Sequence, residues 1–180
     1  QMDVSNEECF LCHAEPDVVD MAEVAPRDGL IVLEEDLSHS VHADFDCVFC
    51  HSGIDDIPHA PDLPLADPEV CSECHDDAYD QYQRSAHGIS LQSGDVHAPG
   101  CTSCHRIHDI HPTDDPESQV HPLVLPETCG TCHGDEQFAL EHAVHVPDAY
   151  QTYVSGVHGR GLLRAGLLIS ASCVDCHGSH

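Results

Sequence analysis

Six times along this 180-residue chain, two cysteines stand three positions apart with a histidine directly after the second. These C-x-x-C-H runs are Cys9 to His13, Cys47 to His51, Cys71 to His75, Cys101 to His105, Cys129 to His133 and Cys173 to His177. They take up all twelve cysteines (Cys9, Cys12, Cys47, Cys50, Cys71, Cys74, Cys101, Cys104, Cys129, Cys132, Cys173 and Cys176), so none is left for a disulfide framework. Cysteines one helical turn apart present both sulfurs on one side of the chain, and the next residue can swing an imidazole under whatever they hold. Tetrahedral zinc also accepts paired C-x-x-C, but it has no use for a histidine after every second cysteine. The pattern is that of covalent haem attachment, in which two thiols add to two vinyl groups of one macrocycle and the histidine takes the iron. The expectation is six haem c groups, one for every thirty residues.

An ordinary core is hard to find around these runs. There is no Trp, only four Phe and four Tyr, and the aliphatic residues are scattered among twelve Pro and twelve Gly. The macrocycles are therefore expected to supply the buried apolar surface, and folding to depend on their attachment, as small metal-binding domains depend on their ion. The expected fold is mostly irregular with short α-helices, about a quarter helix, and little or no sheet, with the haem array as core. Local patterns suggest a helix over Asp17 to Val24, a strand-like Leu30 to Leu33 and a helix from Asp135 to His145.

The chain repeats itself. Asp77, Ala78, Tyr79, Tyr82 and His87 recur 71 positions later as Asp148, Ala149, Tyr150, Tyr153 and His158, and one inserted residue makes the offset 72 for Cys101/Cys173, His105/His177 and His108/His180. Each copy reads as a short helix ending near a histidine, a Gly-containing connection and a C-x-x-C-H-x-x-H. A single helical phase would set Tyr79, Tyr82 and His87 on one face, and their counterparts likewise, with the phenols packed on a haem or bonded to its propionates. The organisation expected is one domain over 1–180, made of an N-terminal two-haem segment, 1–66, and two repeat-related two-haem segments, 67–125 and 126–180.

Six histidines are claimed as proximal ligands: His13, His51, His75, His105, His133 and His177. Twelve others remain, and Met2 and Met21 are the only methionines, so most haems are expected to be bis-histidine carriers of low potential. The distal candidates are His42, His87, His108, His158 and His180, which sit in recurring contexts, and His59, which Pro58 presents between two signatures. His108, three residues after His105, cannot reach the opposite face of the haem that His105 holds, so it is expected to serve a neighbour. His39, His97, His111, His121, His142 and His145 read as surface or propionate-bonded imidazoles, with His97 and His121 next in line as ligands.

Charge narrows the partners. The 33 acidic residues face five Arg and no Lys, for a formal net charge of −28. Nucleic acid binding is excluded for want of a basic face, and anionic membrane surfaces are opposed. No apolar run reaches membrane-spanning length, the longest candidate, Leu162 to Ser170, being interrupted by Arg164. Haem attachment of this type takes place outside the cytoplasmic membrane, so Gln1 is expected to begin a processed, exported chain that works in the periplasm or at the cell surface.

From Ser38 onward the chain resembles the multihaem c-type cytochromes of anaerobic and metal-respiring prokaryotes. The likeness rests on Ser-Val-His42 before Cys47, Ser-Ala-His87-Gly before Cys101, and Val-His158-Gly before the closing Cys-His-Gly-Ser-His180. The resemblance implies haems in alternating stacked and perpendicular pairs, largely bis-histidine, that carry electrons in the periplasm or outside the cell. The partners it implies are other redox proteins or extracellular electron acceptors. Some similar proteins polymerise into conducting filaments, which makes a homopolymer a further option. The acidity and the lack of lysine depart from that family. No catalytic residue is expected. The alternative is a multihaem oxidoreductase of a small nitrogen or sulfur compound with one open haem site, for which the only cations would be Arg27, Arg84, Arg106, Arg160 and Arg164.

Overall fold

Short helices form wherever an attachment signature falls. The computed structural model describes residues 4–15, 30–54, 56–59, 68–142, 144, 146 and 148–180. Signature one closes α1 (Asn6–His13), α2 spans Glu34–Ser38, and signature two forms α3 (Cys47–Cys50). Signature three is only half helical, its first cysteine lying in α4 (Pro68–Ser72) and its second in a turn. Then follow α5 (Asp76–Arg84), α6 (Ala86–Gln92), α7 (Cys101–His105), α8 (Leu125–His133) and α9 (Glu136–Glu141). The last are α10 (Ala149–Ser155), α11 (Val157–Gly159), which runs straight into a π turn over Arg160–Arg164, and α12 (Val174–His177). There is no strand among the described residues. Helix occupies well over a quarter of them, because the signatures are helical turns in their own right.

Caps decide several boundaries. Ser5 and Glu8 form a capping box on α1, with the Ser5 N–H donating to Glu8 Oε2 at 3.0 Å. Asp135 accepts from the N–H groups of Gln137 and Phe138 at 2.9 and 3.0 Å and so starts α9 one residue later than the sequence pattern suggests. That helix stops at Glu141, where Val144 N–H reaches back to the Ala139 carbonyl at 2.8 Å, so it falls short of the expected end at His145, which lies outside the described residues. The expected helix over 17–24, along with Met2, Met21 and Arg27, also lies outside them.

Leu30 to Leu33 is irregular, not strand-like. Its Val32 N–H bonds the His13 carbonyl at 2.9 Å, no second strand lies alongside among the described residues, and Leu33 then caps a helix whose first turn, Glu34, Glu35 and Asp36, suits the positive end of the helix dipole.

The repeat is visible as structure, but its helix is broken. Ser85 (φ −75°, ψ 165°) interrupts the run between Tyr82 and His87, and its hydroxyl accepts from Gly88 N–H at 3.2 Å. Gly156 (φ −71°, ψ 172°) makes the same break 71 residues later. The expected single face of Tyr79, Tyr82 and His87 is therefore divided between two helices, because a residue in extended conformation resets the helical phase. At the crossing, Gly88 and Gly159 lie so close under the carbonyls of Tyr82 and Tyr153 that neither position has room for a Cβ.

The fold divides into two units, Gln1–Ile110 and His111–His180. In the first, Asn6 bridges α1 to signature two, accepting from Cys47 N–H at 2.7 Å and donating to the Phe45 carbonyl at 3.1 Å. Buried Ser40 accepts from the N–H groups of His42 and Ile110, and Val41 N–H donates to the Ile110 carbonyl at 2.8 Å. In the second, Leu125, Pro126, Ala139 and Leu162 are buried. With Val4 of the first unit, these few side chains are the whole apolar interior among the described residues.

Candidate functional site

Three histidine pairs face each other in the first unit. The His13 and His59 rings lie nearly parallel, 11° apart, with centroids at 5.8 Å and their Nε2 atoms 3.5 Å from each other. His42 faces His75 at 6.1 Å between centroids with planes at 59°, and His51 faces His108 at 6.3 Å with planes at 33°. In every pair one ring belongs to a signature and the other to a candidate distal histidine.

The 3.5 Å between His13 and His59 Nε2 is near the spacing one metal ion would set. Two imidazole nitrogens each bound at about 2.0–2.1 Å stand about 4 Å apart across the metal. In the first pair one ring is also steered from behind: His13 Nδ1–H donates to the Leu30 carbonyl at 2.8 Å, which leaves Nε2 as the lone-pair nitrogen aimed at His59. For His42, His51 and His108 the surroundings favour the neutral imidazole, the form that binds a metal. Burial lowers the pKa of His42, with His75 adding to the effect. Burial also lowers His51, helped by His13 and His59, and it lowers His108 with His51 beside it.

The signature thiols are brought together as well. Cys9 lies against Cys47, and burial together with that neighbour pushes the Cys47 thiol up to about 12. Cys71 and Cys101 share a hydrogen bond that lowers the first to about 6 and raises the second. In the second unit Cys129 bonds Cys173 and lowers it to about 7. Signatures one and two, three and four, and five and six therefore meet through their first cysteines. Cys50 lies within electrostatic range of Cys71 and Cys74, which links signatures two and three.

Beside several of these anchors apolar side chains stand open. Leu11 is 72 % exposed, Phe49 56 % and Ile107 53 %. An attached macrocycle would lie against such residues, so anchors, paired imidazoles and apolar lining all fit haem.

The other candidates are more open. His87, His158 and His180 are exposed, and His158 and His177 make no ring contact among the described residues. His121 is buried, and its Nδ1 accepts from Leu123 N–H at 3.3 Å. His111 Nδ1 stands 3.5 Å from Asp115 Oδ2. His142 packs on Phe138 with centroids 4.3 Å apart.

The tyrosines act on the peptide chain. Tyr82 Oη donates to the Pro99 carbonyl at 2.9 Å, and Tyr153 Oη donates to the Ala171 carbonyl at 3.0 Å. Both acceptors lie two residues before the first cysteine of a signature, so each phenol sets the register between a histidine-bearing helix pair and the C-x-x-C-H that follows. Neither role considered from the sequence, packing on a ring or bonding a propionate, includes this bond. Tyr150 lies over Gly130 and Gly134, and Gly130 is the residue after the first cysteine of signature five. Asn6 and Ser40, which tie signatures together, also escape sequence reading, because a lone polar residue carries no periodic or spacing signal.

No family model, curated protein or solved structure matches this chain.

Proposed function

We propose that this protein is an electron carrier with six haem c groups, attached at the six signatures and ligated mainly by pairs of histidines. The observation that carries the reading is the His13/His59 pair, two parallel rings with their Nε2 atoms a single metal ion apart and one of them oriented from behind. The His42/His75 and His51/His108 pairs support it, each setting a signature ring opposite a candidate distal ring at 6.1 and 6.3 Å between centroids, with planes tilted by 59° and 33°.

When bound, haem supplies a one-electron iron couple. The chain's own residues do the rest. The cysteines would anchor each haem covalently, and the paired histidines would supply two protein ligands to its iron, which would leave no place for a substrate there. His105, His133 and His177 hold the remaining irons, with second ligands drawn from His87, His158 and His180. The haem array forms the core, which accounts for the small apolar interior that the peptide builds by itself. No residue is assigned a catalytic role.

The acidic surface keeps such an apolar array in solution and favours partners with a basic docking face. Donors and acceptors are other redox proteins or extracellular acceptors, the protein being exported to the periplasm or cell surface. A homopolymer would need salt or divalent ions to screen its charge.

Intact mass and the alkaline pyridine spectrum of protein matured in an anaerobic host with haem-attachment machinery test the reading. Six covalent haems per chain are expected. A chain that carries zinc, or free thiols in place of thioethers, contradicts it.

A further inference from the structure

The three histidine pairs cross between signatures, and the crossing has a pattern. His59 follows signature two yet faces His13 of signature one. His42 precedes signature two yet faces His75 of signature three. His51 of signature two faces His108, which follows signature four. The stretch over residues 42–59 thus takes part in all three pairs. Its place is held by Asn6, which grips Cys47 N–H and the Phe45 carbonyl, and by the Ser40 and Val41 bonds to Ile110, two residues after His108.

We infer that residues 42–59 clamp three consecutive haems. His59 is the second ligand of the haem at Cys9 and Cys12, His51 with His108 holds the haem at Cys47 and Cys50, and His42 is the second ligand of the haem at Cys71 and Cys74. This rests on the haem reading above and assigns its ligands. A rule of sequence neighbourhood would give a different answer, with His42 on the second haem and His59 on the third.

The thiol contacts then order the array. Cys9 meets Cys47, Cys50 approaches Cys71 and Cys74, and Cys71 meets Cys101. A thioether sulfur stands two covalent bonds from the ring it anchors, so rings whose sulfurs touch are four bonds and one contact apart. The touching sulfurs thus join haem one to two and haem three to four, and Cys50 turns signature two toward signature three.

The test uses the full haem-loaded chain carrying His59→Met. One haem of six should change to histidine–methionine ligation, seen as a near-infrared thioether-to-iron band and one raised midpoint potential. Adding Cys9→Ala and Cys12→Ala should abolish the band, and adding Cys71→Ala and Cys74→Ala should leave it. The opposite result overturns the assignment. The wild-type protein gives the same answer if a variant fails to fold. In the fully reduced, diamagnetic state, the His59 ring protons should show Overhauser contacts to the macrocycle at Cys9 and Cys12, and contacts to the one at Cys71 and Cys74 overturn the inference. A chain with no haem by intact mass would instead sink the functional reading itself, which separates the two failures.

Discussion

Gly88 lies directly under the carbonyl of Tyr82, with no space between them for a methyl group. Gly159 and Tyr153 repeat the arrangement in the second unit. Each glycine follows a candidate ligand, His87 or His158, so the close crossing of two short helices fixes where that histidine leaves the backbone.

Gly88→Ala and Gly159→Ala should each cost about 1–3 kcal/mol, the usual range for overpacking against a backbone that cannot yield. Gly156→Ser is the control. Ser85 holds the same position in the first copy and caps its helix, so this change should stay within about 0.5 kcal/mol. Thermal unfolding of the haem-loaded variants checks both, and equal losses at Gly156 and Gly159 would contradict the account.

Tyr82→Phe and Tyr153→Phe should each lose about 1 kcal/mol, the net value of one hydrogen bond. Burial raises both phenols above the ordinary value of 10, so the folded state holds these protons more tightly than the unfolded chain. Their contribution is complete below pH 10 and is lost as pH rises through the higher folded value. In an alkaline titration, part of the phenolate absorbance should appear at higher pH than that of an ordinary tyrosine. The double Phe variant should lack that part.

Asn6→Ala removes two bonds between signatures one and two and should lower stability by about 1–3 kcal/mol. Asn6→Asp keeps the acceptor for Cys47 N–H but sets a carboxylate oxygen against the Phe45 carbonyl, so it should not restore wild-type stability. Denaturant midpoints of the three proteins give the order.

The chain made without haem-attachment machinery should not fold cooperatively, because among the described residues few side chains besides Val4, Leu125, Ala139 and Leu162 are buried by the peptide itself. Limited proteolysis should cut it throughout, where the loaded protein resists. A cooperative melt of the haem-free chain would show that the core is peptide after all.

The sequence announces its anchors because covalent chemistry fixes the local spacing of Cys-x-x-Cys-His, and its repeat because the same residues recur in the same order, as Tyr82 and Tyr153 do 71 positions apart. It also picks out His42, His59 and His108 as candidates by context. It does not say which ring faces which, since His59 meets His13 across 46 residues through a fold that no local pattern encodes. The helix break at Ser85 is missed for a related reason. A capping serine inside an apolar period looks like one more helical residue until its hydroxyl is seen to bond Gly88. The failed strand at Leu30 to Leu33 is an aliphatic run that finds no partner strand among the described residues and serves as a carbonyl prop for His13 instead.

The most direct measurement is a spin-quantified electron paramagnetic resonance spectrum of the fully oxidised, haem-loaded protein. The account predicts low-spin ferric signals that integrate to six irons per chain, every iron holding two strong ligands. A reproducible high-spin signal from intact protein would contradict it and reveal an iron with an open position, the requirement for chemistry on a small substrate.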